Sequence, residues 1–88
     1  MPYVKKDVRK FIDPALKPAL EVIGKSEIGD VNYVITRILW KYLQEKGINY
    51  SNLNNVVGVL ECAKLELYRR VVAPYEEKKK KMNGEVYK

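Results

Sequence analysis

An apolar stripe between Ser51 and Val72 constrains the fold more than any other feature of this chain. Leu53, Val56, Val57, Leu60, Ala63, Leu67 and Val71 recur there at three- and four-residue spacing, and Lys64 is the one polar residue on the same broad face. A helix turns once in about 3.6 residues, so this spacing gathers the stripe on one side. A half-buried strand needs alternation with period two, and no segment of the chain alternates that way. The segment therefore predicts one long helix over 51–72, with Ser51 as its N-cap. Pro74 has no N–H to donate to the carbonyl of Arg70. The helix is expected to kink there or to end, with a new helix starting at Pro74 and running to about residue 82. Asn83-Gly84 reads as the stop, and Glu85-Val86-Tyr87-Lys88 as a short tail.

The same periodicity extends upstream. Val31, Val34, Ile35, Ile38, Leu39, Tyr42 and Leu43 form the stripe of a helix over 31–46, capped by Asp30 and ended by Gly47. Ile48-Asn49-Tyr50 is the loop to the next helix. Ahead of this pair, Val4, Val8, Phe11 and Ile12 fit a short first helix over 4–12. Asp13-Pro14 reads as an N-cap followed by a first-turn proline, opening another helix with Leu16, Ala19, Leu20 and Ile23 on its face. Gly24 closes it. The expected fold is all-α: a compact bundle of three to five helices around an αα-hairpin of 31–46 and 51–72. The 88 residues accommodate one helical domain over 1–82 and a tail over 83–88.

Composition narrows the chemistry. With no His and one Cys, the chain has no Ser-His-Asp or Cys-His centre, no His-based metal site, no zinc finger and no internal disulfide. Cys62 is expected to be a small packed residue. No apolar run approaches the length needed to span a bilayer, and no leader pattern follows Met1, so a cytoplasmic protein without a membrane is expected. The net charge of +6 is an end effect. Residues 1–10 carry +3, residues 76–88 carry +2, and everything between carries +1. A nucleic-acid-binding domain would show a basic face on its body. The Lys78–Lys81 run reads instead as a solvated helix end that complements the negative pole of the helix.

Three constellations stand out. On the helix over 31–46, Tyr33, Arg37, Trp40 and Lys41 sit opposite the core stripe, with Asn32 and Thr36 beside them. A guanidinium between aromatic rings suits an anionic group attached to a flat ring; the same surface equally suits a subunit contact. On the long helix, Lys64 near the core face needs partners, and a buried network of Lys64, Glu61, Tyr68 and Arg37 is a candidate site. Glu66 and Arg70 have the spacing of a surface pair. Gly58 in mid-helix costs helix stability, and close approach of another helix is its expected cause. Glu61 and Glu66 are five apart and turn to different faces, which weighs against a metal-dependent phosphohydrolase. The helix–turn–helix arrangement, with Asn52, Asn54 and Asn55 opening the second helix, admits a nucleic-acid reading, although that helix lacks Arg or Lys in its first turn.

The segments Gly29-Asp30-Val31-Asn32-Tyr33-Val34-Ile35-Thr36-Arg37, Gly58 to Arg70, Pro74-Tyr75-Glu76 and Asn83-Gly84-Glu85-Val86-Tyr87 resemble those of a family of small phage, prophage and bacterial proteins of unknown function. The likeness runs from Pro2 to Tyr87. It implies a phage-like genomic setting, where small accessory proteins often act by binding: blocking a host enzyme, sequestering a signalling nucleotide or modifying transcription.

Taken together, the residues predict a non-enzymatic protein that binds an anionic, nucleotide-like small molecule and takes no cofactor or metal. Arg37, Lys64, Arg69 and Arg70 are expected to supply charge, and Tyr33, Trp40 or Tyr68 to stack. Asn32 and Glu61 are expected to orient the ligand, and Tyr87 to reach it from the tail. A chain this small is expected to bury surface as a homodimer or tetramer. A nucleic-acid-binding protein and an inhibitor of a host enzyme are the alternatives.

Overall fold

A computed structural model describes residues 2–87. Every regular element among them is helical: α1 over Lys6–Ile23, α2 over Ile28–Lys46, α3 over Tyr50–Leu67, a π-helical turn over Tyr68–Val72, and α4 over Ala73–Asn83. The all-α expectation holds. The chain divides into two units, 2–56 and 57–87, taken separately below.

In the first unit, α1 is one helix where two were expected. Pro14 and Pro18 both lie inside it, and Asp13 is helical rather than a cap. The reason lies in the apolar register. Val8, Ile12, Ala15, Ala19 and Val22 keep one unbroken three-four spacing through both prolines, so the two segments share a face. Ser26 ends the helix by donating its hydroxyl to the Val22 carbonyl at 2.8 Å. α2 then starts at Ile28, three residues earlier than expected: Glu27 is the N-cap, and Asp30 sits inside the helix, where its Oδ2 accepts the Glu27 N–H at 3.0 Å. An acidic side chain three residues into a helix can reach back in this way, so Asp30 still caps, from within.

The turn from α2 to α3 is built by asparagines. Gly47, at φ 102°, takes the left-handed conformation that ends α2. Asn49 Oδ1 accepts the Asn52 N–H at 2.8 Å, so Asn49 does the capping expected of Ser51, which lies within α3. Asn52 Nδ2 donates to the carbonyls of Lys46 at 3.1 Å and Gly47 at 2.9 Å. These bonds satisfy acceptors that the end of a helix leaves orphaned. The buried residues are Leu43 on α2 and Val56 on α3, either side of this turn. Val31, Val34 and Leu39 are half-buried, but Ile35, Ile38 and Tyr42 of the expected stripe are exposed. No residue of α1 is buried, and Phe11 is 84% exposed.

In the second unit the chain passes Pro74 without breaking. The Ala73 N–H reaches back five residues to the Tyr68 carbonyl, and the backbone stays helical on both sides. A π turn widens the helix by one residue, which makes room for a proline that cannot supply the usual bond. Gly84, at φ 97°, ends α4. Glu85 Oε1 then accepts the N–H groups of Val86 at 2.9 Å and Tyr87 at 3.0 Å, which folds the tail into a tight turn. A Cβ built on Gly58 meets nothing within 4 Å, so among the described residues no close helix approach accounts for that glycine.

Candidate functional site

One candidate surface lies on the face of α2 that carries Tyr33, Arg37 and Trp40. Tyr33, Arg37, Trp40, Lys41 and Gln44 follow one another at helical spacing and line a single shallow surface, bordered by Val34 and Ile38. Arg37 Nη1 donates to the Tyr33 hydroxyl at 3.3 Å, and its Cζ lies 5.9 Å from the Tyr33 ring centroid. Tyr33 thus holds the guanidinium through both its ring and its oxygen. Lys41 is engaged by Glu45 at 2.8 Å. Arg37 has no carboxylate partner among the described residues, so its remaining N–H groups are open to a ligand oxygen. Trp40 is 47% exposed, enough to offer a stacking surface.

Two residues differ from expectation here. Asn32 does not line this surface; it precedes Tyr33 by one residue and is turned roughly 100° away. Its carbonyl accepts the Thr36 hydroxyl at 2.9 Å. Gln44 was missed. The available signal was its position one turn beyond Trp40 and two beyond Arg37, where its amide adds a donor and an acceptor.

The other sequence-derived residues belong to the second unit. Glu61 and Lys64 pair at 3.1 Å with both side chains more than half exposed. The expected buried network of Lys64, Glu61, Tyr68 and Arg37 is therefore corrected, because Lys64, Glu61 and Tyr68 are all on the surface and no polar residue is buried among those described. The charge on Lys64 is satisfied by Glu61 one turn away, which removes the need for a buried partner. Glu66 pairs with Arg69, not Arg70: Arg69 Nη2 lies 2.8 Å and 3.0 Å from its two oxygens. The π turn begins one residue after Leu67 and shifts Arg70 off the position above Glu66. Cys62 is exposed rather than packed, and lines a hollow with Leu65, Glu66, Tyr68, Arg69 and Ala73.

Tyr68 also borders a second hollow, between α4 and the tail. Lys79, Lys80, Glu76 and Tyr87 contribute to its lining. Its cations are already engaged. Lys80 pairs with Glu77 at 3.0 Å and Glu85 at 3.7 Å, and Lys79 lies 5.6 Å from the Tyr75 ring centroid. Asn52, a candidate for reading bases, is committed to the α2–α3 turn.

A family model described as a domain of unknown function, DUF6899, matches residues 1–86. The chain belongs to this family. No curated protein and no solved structure matches it. Among the described residues of this DUF6899 chain, no helix is long and apolar enough to cross a membrane.

Proposed function

We propose that the chain binds an anionic, nucleotide-like small molecule on the outer face of α2, without catalysis. The observation that carries this reading is Arg37, whose guanidinium is oriented by Tyr33 and claimed by no carboxylate among the described residues. Arg37 takes the phosphate, Trp40 supplies stacking area, and Gln44 offers hydrogen bonds to a base edge. Such an arrangement holds a ligand and presents no carboxylate to move a proton. The resemblance to small phage and prophage proteins supports a sequestering role in a host cytoplasm.

Isothermal titration against a panel of mono-, di- and cyclic nucleotides tests the reading. Arg37→Ala removes a charge-assisted bond of about 1.5–3 kcal/mol, so affinity should fall by roughly ten- to a hundredfold. Unchanged affinity in Arg37→Ala, or no binding by the unaltered chain at millimolar nucleotide, refutes it.

A further inference from the structure

The first unit carries two helices whose apolar seams match each other in size and length, yet do not meet within the chain. In α1 the seam is Val8, Ile12, Ala15, Ala19 and Val22, at spacings of four, three, four and three. In α2 it is Val31, Ile35, Ile38 and Tyr42, at four, three and four. This is the alternation by which one helix packs its knobs into the holes of another. The α1 seam is small at its centre, with two alanines, and the α2 seam is large there, with two isoleucines. Small facing large is how packed layers interdigitate. The helices have 18 and 19 residues, so their seams run nearly the same length.

These seams are uncovered. α1 and α2 do not pack along each other; Ile35, Ile38 and Tyr42 are exposed, Val31 is half-buried, and all five residues of the α1 seam are exposed. α1 is in special need of cover. Its N-terminus has no side-chain cap, and the two prolines inside it each lack the N–H of a normal helical bond. Two buried side chains, Leu43 and Val56, are too few to hold 55 residues in order.

We propose that a second copy of this chain provides the cover, with α1 of each copy laid along α2 of the other. The area agrees. Half the surface of an 18-residue helix, about 27 Å long and 10–12 Å across, is roughly 450 Å². Two such faces per copy reach the ~800 Å² that each partner gives to a stable interface. The charges of α1 agree as well. Lys6, Lys10, Asp13, Lys17 and Glu21 fall outside the α1 seam, so the contact buries none of them. Tyr33, Arg37 and Trp40 lie on the other side of α2 from Ile35 and Tyr42, so the assembly leaves them open and covers only Ile38 at the rim of that surface.

Sedimentation and thiol cross-linking test this together, and neither depends on the ligand. The unaltered chain should sediment at twice its 10.2 kDa mass at high micromolar concentration, and a monomer there overturns the proposal. For cross-linking, Cys62→Ser removes the native thiol. A15C and I38C then mark the midpoints of the two helices, which coincide for parallel and antiparallel pairing alike. A mixture of the two single variants, treated with a short bis-maleimide, should yield covalent dimers. A dimer that sediments as expected but does not cross-link in that mixture overturns the α1-on-α2 contact. So does a double variant that joins only within one chain.

Discussion

Replacing Asn52 with alanine should destabilise the α2–α3 turn far more than a surface asparagine normally does. Its amide donates to two carbonyls at the end of α2, Lys46 at 3.1 Å and Gly47 at 2.9 Å. The Gly47 bond is partly buried and the Lys46 bond is exposed. A typical intramolecular hydrogen bond contributes about 0.5–1.5 kcal/mol net, and water replaces the exposed bond more readily than the buried one. Counting the buried bond near the top of that range and the exposed bond near the bottom gives a loss of about 2 kcal/mol. For a domain of this size that lowers Tm by roughly 8–16 °C. The backbone bond from Asn52 N–H to Asn49 Oδ1 is untouched by the substitution, so the start of α3 is not the cause. Thermal unfolding followed at 222 nm, at one fixed protein concentration, measures the shift. Asn52→Asp is the control: it keeps the size but sets a carboxylate against two carbonyls at the negative end of α2, and should lose at least as much. A fall in Tm below about 2 °C for Asn52→Ala refutes the argument that these two bonds hold the turn.

Two further substitutions probe the second unit. Gly58→Ala places a Cβ where no described atom lies within 4 Å, so helix propensity alone should raise stability by about 1 kcal/mol, seen as a higher urea midpoint; destabilisation would mean that something packs on that position. Pro74→Ala restores an N–H that can bond to the Arg70 carbonyl, so the π turn should revert to an α-helical register and hydrogen exchange at residues 70–78 should slow; unchanged exchange would show that Pro74 is not what imposes the wide turn.

The elements were largely legible because each rests on local signals. Gly47 and Gly84 end helices where positive φ is needed, the three-four spacing identified α2 and α3, and Pro74 with Asn83-Gly84 bounded α4. The errors came from signals that admit two geometries. Asp13-Pro14 fits a helix start, yet the unbroken apolar spacing from Val8 to Val22 carries one helix through it. Asp30 fits an N-cap, yet at the third helical position it reaches back to accept the Glu27 N–H and caps from within. Ser51 lost its capping role to Asn49, two residues earlier, because asparagine reaches the next turn's N–H equally well. In the candidate site, the Tyr33–Arg37–Trp40 spacing was readable since all three sit on one helix. The Lys64 network was not, because a stripe of apolar neighbours says which face a residue occupies and not whether anything covers that face. Glu66 chose Arg69 over Arg70 for a reason invisible in spacing rules: the π turn changes the spacing itself.

That distinction between having an apolar face and having it covered bears on the whole chain. Ile35, Ile38 and Tyr42 have the pattern of core residues and the exposure of surface residues. The apolar stripe of an amphipathic helix ordinarily faces a core or a partner. On α2 two patterns coexist, the seam through Ile35 and Tyr42 and the Tyr33–Arg37–Trp40 face across the helix from it. Ile38 borders both, being part of the seam and of the rim beside Arg37. Covering the seam would immobilise Ile38 and with it one wall of the Arg37 surface. An open face on a single helix gains rigidity from whatever packs behind it, and a rigid face loses less entropy when a ligand lands. The proposed association and the proposed recognition would therefore be linked through Ile38, the side chain their two surfaces share.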